Sequence, residues 1–234
     1  MLSYASWADE KIKIAQAIES GCCGGGYDEG ALIVCSSISA MAALAWPGKG
    51  IDKKRFIEIL TKVANGGINH NPLRISTPLL CQEDESFKNI LLLSNKSFYL
   101  REAIDKDYSE LIDFLSQKGI KIDEAKEKTI RHNSYGFLVY NQVRCGFAHE
   151  YKIGQNATTF DQLRNIFNVN ANEVSYTQYI DRNNSSHRRI HFPISWISCL
   201  SRNVAQWLDE QRIKEGRQIF EKIYLDPPSS WWIP

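Results

Sequence analysis

The stretch from Ala31 to Trp46 is the most apolar in the chain and is rich in Ala and Ser. Small side chains let neighbouring helices approach closely, so this segment is predicted as a helix at the centre of a bundle. Its serines and its length, short of the ~20 apolar residues that a bilayer span needs, place it in a protein core rather than a membrane. The N-terminus, Met1 to Glu19, alternates charged with apolar residues and has no apolar stretch of the kind that directs secretion. The expectation is a soluble, cytoplasmic protein with no membrane partner. With 234 residues, 43% of them hydrophobic, the chain can bury one sizeable core.

Further helices are predicted on either side. Tyr4 to Glu19 carries Trp7, Ile14 and Ile18 at helical spacing and ends at Ser20-Gly21. Asp52 is placed to cap a helix over Lys53 to Ala64, which Asn65-Gly66-Gly67 stops. From Ile68 to Gln82 there is no clean period, and Pro72 and Pro78 mark an ordered loop or capping segment in which His70 reads as a loop histidine. Glu83 to Phe98 and Glu102 to Gln117 have helical periodicity, the second closed by Lys118-Gly119. Asp123 is placed to cap a long helix running to about Tyr151.

After Gly154 the pattern changes. Val174 to Asp181 alternates β-branched and aromatic residues, and Arg188 to Phe192 answers it across Asn183-Asn184-Ser185-Ser186, which predicts a β-hairpin at about 174–192. Pro193 opens a last helix, Ile194 to Glu215, whose broad apolar face holds Trp196, Ile197, Leu200, Val204, Trp207 and Leu208. Two tryptophans in the tail, Trp231 and Trp232, are expected to dock on the body or on a partner. Together these features predict an all-α class: one helical domain over residues 1–215 with extra helices and an inserted hairpin, followed by a docked tail over 216–234.

Several chemistries are disfavoured. A formal net charge of +1 argues against coating nucleic acid by bulk charge, so any RNA contact must be local. The six cysteines form no CxxC pair and have no His at zinc-finger spacing, which reads as reduced thiols; no metal and no cofactor are expected. The glycine-rich loop from Gly21 to Gly30 has Glu29 where a dinucleotide-binding fingerprint requires its last glycine, and acidic residues there repel phosphate. It reads as a helix connector.

The residues with catalytic potential lie between Tyr140 and Tyr151. Arg144 falls between Tyr140 and Phe147, so a permanent charge is set in an aromatic seam, where it needs a carboxylate, carbonyl or phosphate partner. His149 adds the side chain whose ordinary pKa lies nearest neutrality. On an α-helix the two stand roughly 140° apart around the axis and about 7.5 Å apart along it. A site using both therefore needs a helix distorted near Gly146, the reach of Arg, or a second copy of the chain. Arg144 and Tyr151, seven apart, share an α-helical face.

Arg144, four residues, then His149, extended by Glu150 and Tyr151, resembles the Arg-x4-6-His signature of the HEPN superfamily, in the Arg-x4-His-x-Tyr form of HEPN toxins paired with nucleotidyltransferase antitoxins. A hairpin before the last helix is similar to the topology of one bacterial HEPN branch. Many members have a polar residue directly after the Arg; here it is Cys145. The resemblance implies a homodimeric helical domain that cuts RNA without a metal, in a toxin or antiphage-defence setting, with an antitoxin or regulatory protein as a further partner. Arg144 would bind the scissile phosphate and His149 would act as general acid or base. Asn141, Glu150 and Tyr151 would support them, Tyr151 matching a residue that the antitoxin modifies in toxin relatives.

The hairpin residues Arg182, His187, Arg188 and Arg189 form the most basic patch and are expected to contact an RNA backbone, with Tyr176 or Tyr179 stacking on a base. The alternative is a non-catalytic RNA-binding or assembly protein in which Arg144 pairs with a buried carboxylate and His149 is a core histidine.

Overall fold

The computed structural model describes residues 3–22, 24–64, 70–91, 105–161, 172–182, 184, 186–223 and 225–233. The predicted stop at Asn65-Gly66-Gly67, residues 92–98 and 102–104 of two predicted helices, and Cys23, Asn183 and Ser185 lie outside them. The described parts of those helices are corrected: Asp84 interrupts the first, where it caps a 3-10 turn, and the second begins at Tyr108 after a short strand at Lys106–Asp107. The fold is mainly helical with a two-stranded hairpin. Helix α1 spans Tyr4–Glu19, α2 Tyr27–Ala45 and α3 Asp52–Val63. A two-residue strand β1 (Arg74–Ile75) pairs antiparallel with β2 (Lys106–Asp107); between them lie α4 (Thr77–Glu83), a 3-10 turn (Glu85–Phe87) and the single turn α5 (Lys88–Leu91). Then come α6 (Tyr108–Gln117), α7 (Glu124–His132), a helix α8 over residues 135–150, strands β3 (Ser175–Ile180) and β4 (Ser186–His191), and α9 (Ile194–Lys214).

Helix α2 is the central element, packed against α1, α3, α8 and α9. At 19 residues it is long and apolar enough to cross a membrane by length and composition, which corrects the reading that it is too short; half of its apolar window is buried inside this fold. It begins four residues earlier than predicted, inside the glycine-rich loop. Glu29 explains this: its carboxylate accepts from the Gly26 N–H at 2.8 Å, satisfying a donor that the helix start leaves free. Gly30 then lies where a Cβ would come within 2.9 Å of the Ala15 carbonyl and 2.6 Å of Ile194, so α1, α2 and α9 meet at a point only glycine fits.

That contact also selects the buried face of α1. Tyr4, Ala8, Ile12 and Ala15 are buried, while Ile14 is exposed and Trp7 and Ile18 are half-buried, so the face predicted from the larger side chains is corrected. Asp52 is also corrected: it is the first residue of α3, not its cap, and forms an ion pair with Arg55. The predicted loop after residue 68 contains β1 and α4, the latter with Pro78 in its first turn, a position where the missing N–H costs nothing.

Apolar residues gather in two clusters. The larger joins α1, α2, α3, α8, α9, the hairpin base and the tail; the smaller holds Ile75, Leu80, Phe87, Leu111, Leu115 and Ile130. A buried polar group lies between them. Asp105 accepts hydrogen bonds from the hydroxyls of Tyr135 and Tyr176, the latter at 2.5 Å, and from the Thr77 N–H at 3.0 Å. Burial pushes its carboxyl up to about 6, with these bonds and the Arg74 charge opposing the shift.

The C-terminal tail docks on the body. Ile223 and Leu225 donate backbone hydrogen bonds to Leu44 and Ala45 at 3.0 Å. Trp232 is buried, its N–H donating to Glu58 at 2.7 Å and its indole to Ser134 at 3.1 Å.

Candidate functional site

Helix α8 carries Arg144 and His149, and it starts where the sequence pattern showed no break. The helix predicted from Asp123 to Tyr151 is two. Asp123 caps α7 through the Lys126 N–H at 2.9 Å, and α7 ends at Asn133. Asn133 holds the break: its amide donates to Glu83 at 2.6 Å and to the Thr129 carbonyl at 3.0 Å, and its own carbonyl accepts from Ser76 at 2.8 Å. Ser134 then caps the new helix, accepting from the Phe137 N–H.

After an α-helical first turn, Tyr135–Leu138, the winding changes. Val139–Arg144 and Gly146–Glu150 are π-helical, and Tyr151 ends the helix in the left-handed conformation at φ 52°. The chain turns back along the helix it has just left. Gly154 N–H donates to the Gln142 carbonyl at 2.7 Å, Asn156 N–H to the Gln142 side chain at 3.2 Å and Lys152 N–H to the Gly146 carbonyl at 3.4 Å. The approach is too close for side chains at two positions: a Cβ on Gly146 would stand 2.5 Å from the Lys152 carbonyl, and one on Gly154 would stand 2.9 Å from the Gln142 Cα.

The winding alters which residues are neighbours. With i→i+5 bonding and about 4.4 residues per turn, residues five apart are rotated by only roughly 50° instead of 140°. Arg144 ends the first π stretch and His149 lies within the second, with α-wound Cys145 between. The two are thereby brought closer in angle around the axis than on a straight α-helix. Tyr151 does not share the Arg144 face as a straight helix would have it, because it stands outside the winding in a left-handed conformation and is 88% exposed.

Around Arg144 the surroundings are aromatic and neutral. The guanidinium is half-buried, centred 5.4 Å from the Tyr140 ring, with Nη1 4.0 Å from the Cys145 sulfur. Tyr140 and Phe147, the rings of the expected seam, are both buried, and Tyr151 is not. No ion pair among the described residues involves Arg144. Burial pushes the Tyr140 hydroxyl up to about 12, Cys145 adding to the shift and the Arg144 charge opposing it. The buried Cys35 thiol is likewise pushed up to about 12 by burial, again against the Arg144 charge. These two groups and Cys145 form the surroundings of Arg144; the sequence pattern marked Tyr140 and Cys145 but not Cys35, which comes from α2.

His149 and Asn141 are exposed, and neither side chain forms a hydrogen bond among the described residues. Glu150, also exposed, pairs with Lys152 at 3.2 Å.

The basic hairpin residues do not form one patch, because strand register divides them. Tyr176 pairs with Ile190 and Gln178 with Arg188, so those four share one face; Tyr179 pairs with His187 and Thr177 with Arg189, so those share the other. The first face turns inward at its base and is exposed toward the turn, at Gln178 and Ile180. Tyr176 is buried on Asp105, and Arg188 is half-buried near Tyr176, Asp105 and Cys81, its main chain held on both sides by the Gln82 amide. Tyr176 is therefore corrected from a base-stacking residue to part of the interior, and Arg188 stands half-buried apart from the other basic residues of the hairpin. Arg189 lies over the Tyr179 ring at 4.2 Å, His187 faces Asp181 at 3.3 Å, and Arg182 is exposed at the turn.

The base of the hairpin is joined to α8. Ile190 N–H donates to the Asn156 carbonyl at 2.9 Å, and Asn156 is bound to Gln142. The Tyr27 ring lies 6.2 Å from Phe147 and 5.2 Å from His191, whose Nδ1 is 3.0 Å from the Thr158 carbonyl and whose pKa burial lowers. Among the described residues no three His, Cys, Asp or Glu side chains gather as metal ligands. Compared with family models, with curated proteins and with solved structures, the chain matches none of them.

Proposed function

We propose that this protein is a homodimeric, HEPN-like endoribonuclease acting through Arg144 and His149, in a toxin or antiphage-defence role. The observation that carries the reading is the π winding of α8 on either side of Cys145, which narrows the angle between the cation and the imidazole relative to an α-helix, with His149 open to solvent. Winding of this kind is rare and concentrates at functional sites. A structural role for the pair fits less well, since His149 is not a core histidine and Arg144 has no carboxylate partner among the described residues.

In the reaction, Arg144 holds the scissile phosphate through charge-assisted hydrogen bonds and stabilises the charge that develops there. The ribose 2′-oxygen attacks phosphorus, and its proton passes to a base. The 5′-oxygen leaves with a proton from an acid. His149 from one protomer serves as one of these groups and a second His149 or water as the other; such a role contributes roughly 10²- to 10⁴-fold. The products are a 2′,3′-cyclic phosphate and a 5′-hydroxyl, so DNA is not a substrate. Asn141, Glu150 and Tyr151 flank the pair as contacts to substrate or to the partner protomer.

The test is cleavage of a mixed RNA pool in EDTA by wild type, Arg144→Ala and His149→Ala, each with its fold and oligomeric state measured. Cyclic-phosphate ends made by wild type and lost in both variants support the nuclease. Intact RNA with all three proteins favours the alternative, an RNA-binding or assembly protein.

A further inference from the structure

The outward face of the hairpin combines two features that serve one ligand chemistry. Tyr179 is 42% exposed although it belongs to a regular strand, and the Arg189 guanidinium at 4.2 Å from its ring centre fixes both side chains. His187 stands opposite Tyr179 in the ladder, and Arg182 is exposed at the turn that follows β3. Asp181 faces His187 at 3.3 Å. An exposed ring with a guanidinium stacked over one face, and further cations near it, is an arrangement that extends its stack to an unpaired base and holds the phosphate by charge. On the opposite face Arg188 and Tyr176 turn inward, so only one side of the ribbon offers this surface.

We infer that the Tyr179–Arg189 face is a binding platform for single-stranded RNA that leads the strand toward Arg144 and His149. This rests on the reading that RNA is the substrate. The hairpin that carries this face is anchored on the helix that carries Arg144 and His149: His191 at its base packs on Tyr27, and Tyr27 packs on Phe147 of α8. A duplex hides its base faces and would use only the cations. An acidic protein would likewise bind the cations without needing the ring.

The experiment uses full-length protein carrying His149→Ala to prevent cleavage, and a labelled single-stranded RNA of about 12 nucleotides, within the ~4–16 that such sites cover. Adding Tyr179→Ala weakens binding about 5- to 150-fold, the equivalent of one lost base stack, whereas Tyr179→Phe keeps it within about twofold. Adding Arg189→Ala lowers the slope of log affinity against log salt by about 0.7. Arg202→Ala, which removes a surface charge paired with Asp9 at 2.7 Å, leaves affinity unchanged. The inference is overturned if His149→Ala does not bind the strand, if Tyr179→Ala binds as well as its parent, if Tyr179→Phe is as weak as Tyr179→Ala, or if the matching duplex binds equally well. Cleavage by the Tyr179→Ala variant with His149 intact, at saturating RNA, keeps the two readings apart. Cyclic-phosphate products with no effect on binding refute the platform alone, and binding without products refutes the nuclease alone.

Discussion

Replacing Gly146 by alanine tests the packing that sustains the π winding. The new Cβ would stand 2.5 Å from the Lys152 carbonyl oxygen, 3.0 Å from the Gly154 nitrogen and 3.3 Å from the Ile153 carbonyl carbon. All three are backbone atoms, so no side chain can rotate away and the returning chain must move as a unit. Overpacking costs about 1–3 kcal/mol. Movement also strains the bonds from Lys152 to Gly146 and from Gly154 to Gln142, each worth about 0.5–1.5 kcal/mol net. The expected loss is about 2–4 kcal/mol. Urea denaturation reads it as a lower midpoint at unchanged slope, with Ala148→Ser at the exposed neighbouring position staying within about 0.5 kcal/mol. A Gly146→Ala protein within about 0.5 kcal/mol of wild type would refute the close approach of the returning chain to the helix. If the nuclease reading holds, the variant also loses cleavage, because the relative rotation of Arg144 and His149 depends on this winding.

Asp105 supplies a pH test. Its folded pKa, about 6, lies above the ordinary Asp value of about 3.9, so its contribution to stability is full below pH ~4 and is lost as pH rises through 6. The difference between wild type and Asp105→Asn should therefore move by about 2 kcal/mol between pH 4 and 7, against wild type at the higher pH; equal pH slopes would show that the carboxyl is not desolvated. Buried His191 acts in the opposite sense, its lowered pKa making stability fall as the medium turns acid, and it cancels from this comparison because both proteins carry it. Trp232→Ala should destabilise by about 3 kcal/mol by emptying the site between Tyr108 and Arg131, whose ring centre and guanidinium lie 4.8 and 4.9 Å away. Because its indole donates to Ser134, the cap of α8, faster amide exchange over 135–138 should accompany the loss, and unchanged exchange would separate the tail from the site.

What the sequence could determine by itself was whatever depends on neighbours a few residues away. The starts of α1 at Tyr4 and α9 at Ile194, the end of α6 at Lys118-Gly119 and the pairing of β3 with β4 follow from apolar period, glycine and strand alternation, which act locally. The pairing of Arg144 with His149 was legible as chemistry. Its geometry was not.

Tertiary contacts decided the rest. The break at Asn133 depends on Glu83 and Ser76, the buried face of α1 on a glycine in α2, and the burial of Arg188 on Gln82 and on the neighbourhood of Asp105. Asp105 itself has no local pattern to mark it, because its partners Thr77, Tyr135 and Tyr176 come from three distant parts of the chain. The π winding belongs to this group too, since i→i+5 bonding is sustained where the returning strand at Gly154 and Asn156 takes up the carbonyl and side chain of Gln142. A periodic pattern records which face of an element is apolar; it does not record what packs there, and that packing set the relative positions of the cation and the imidazole.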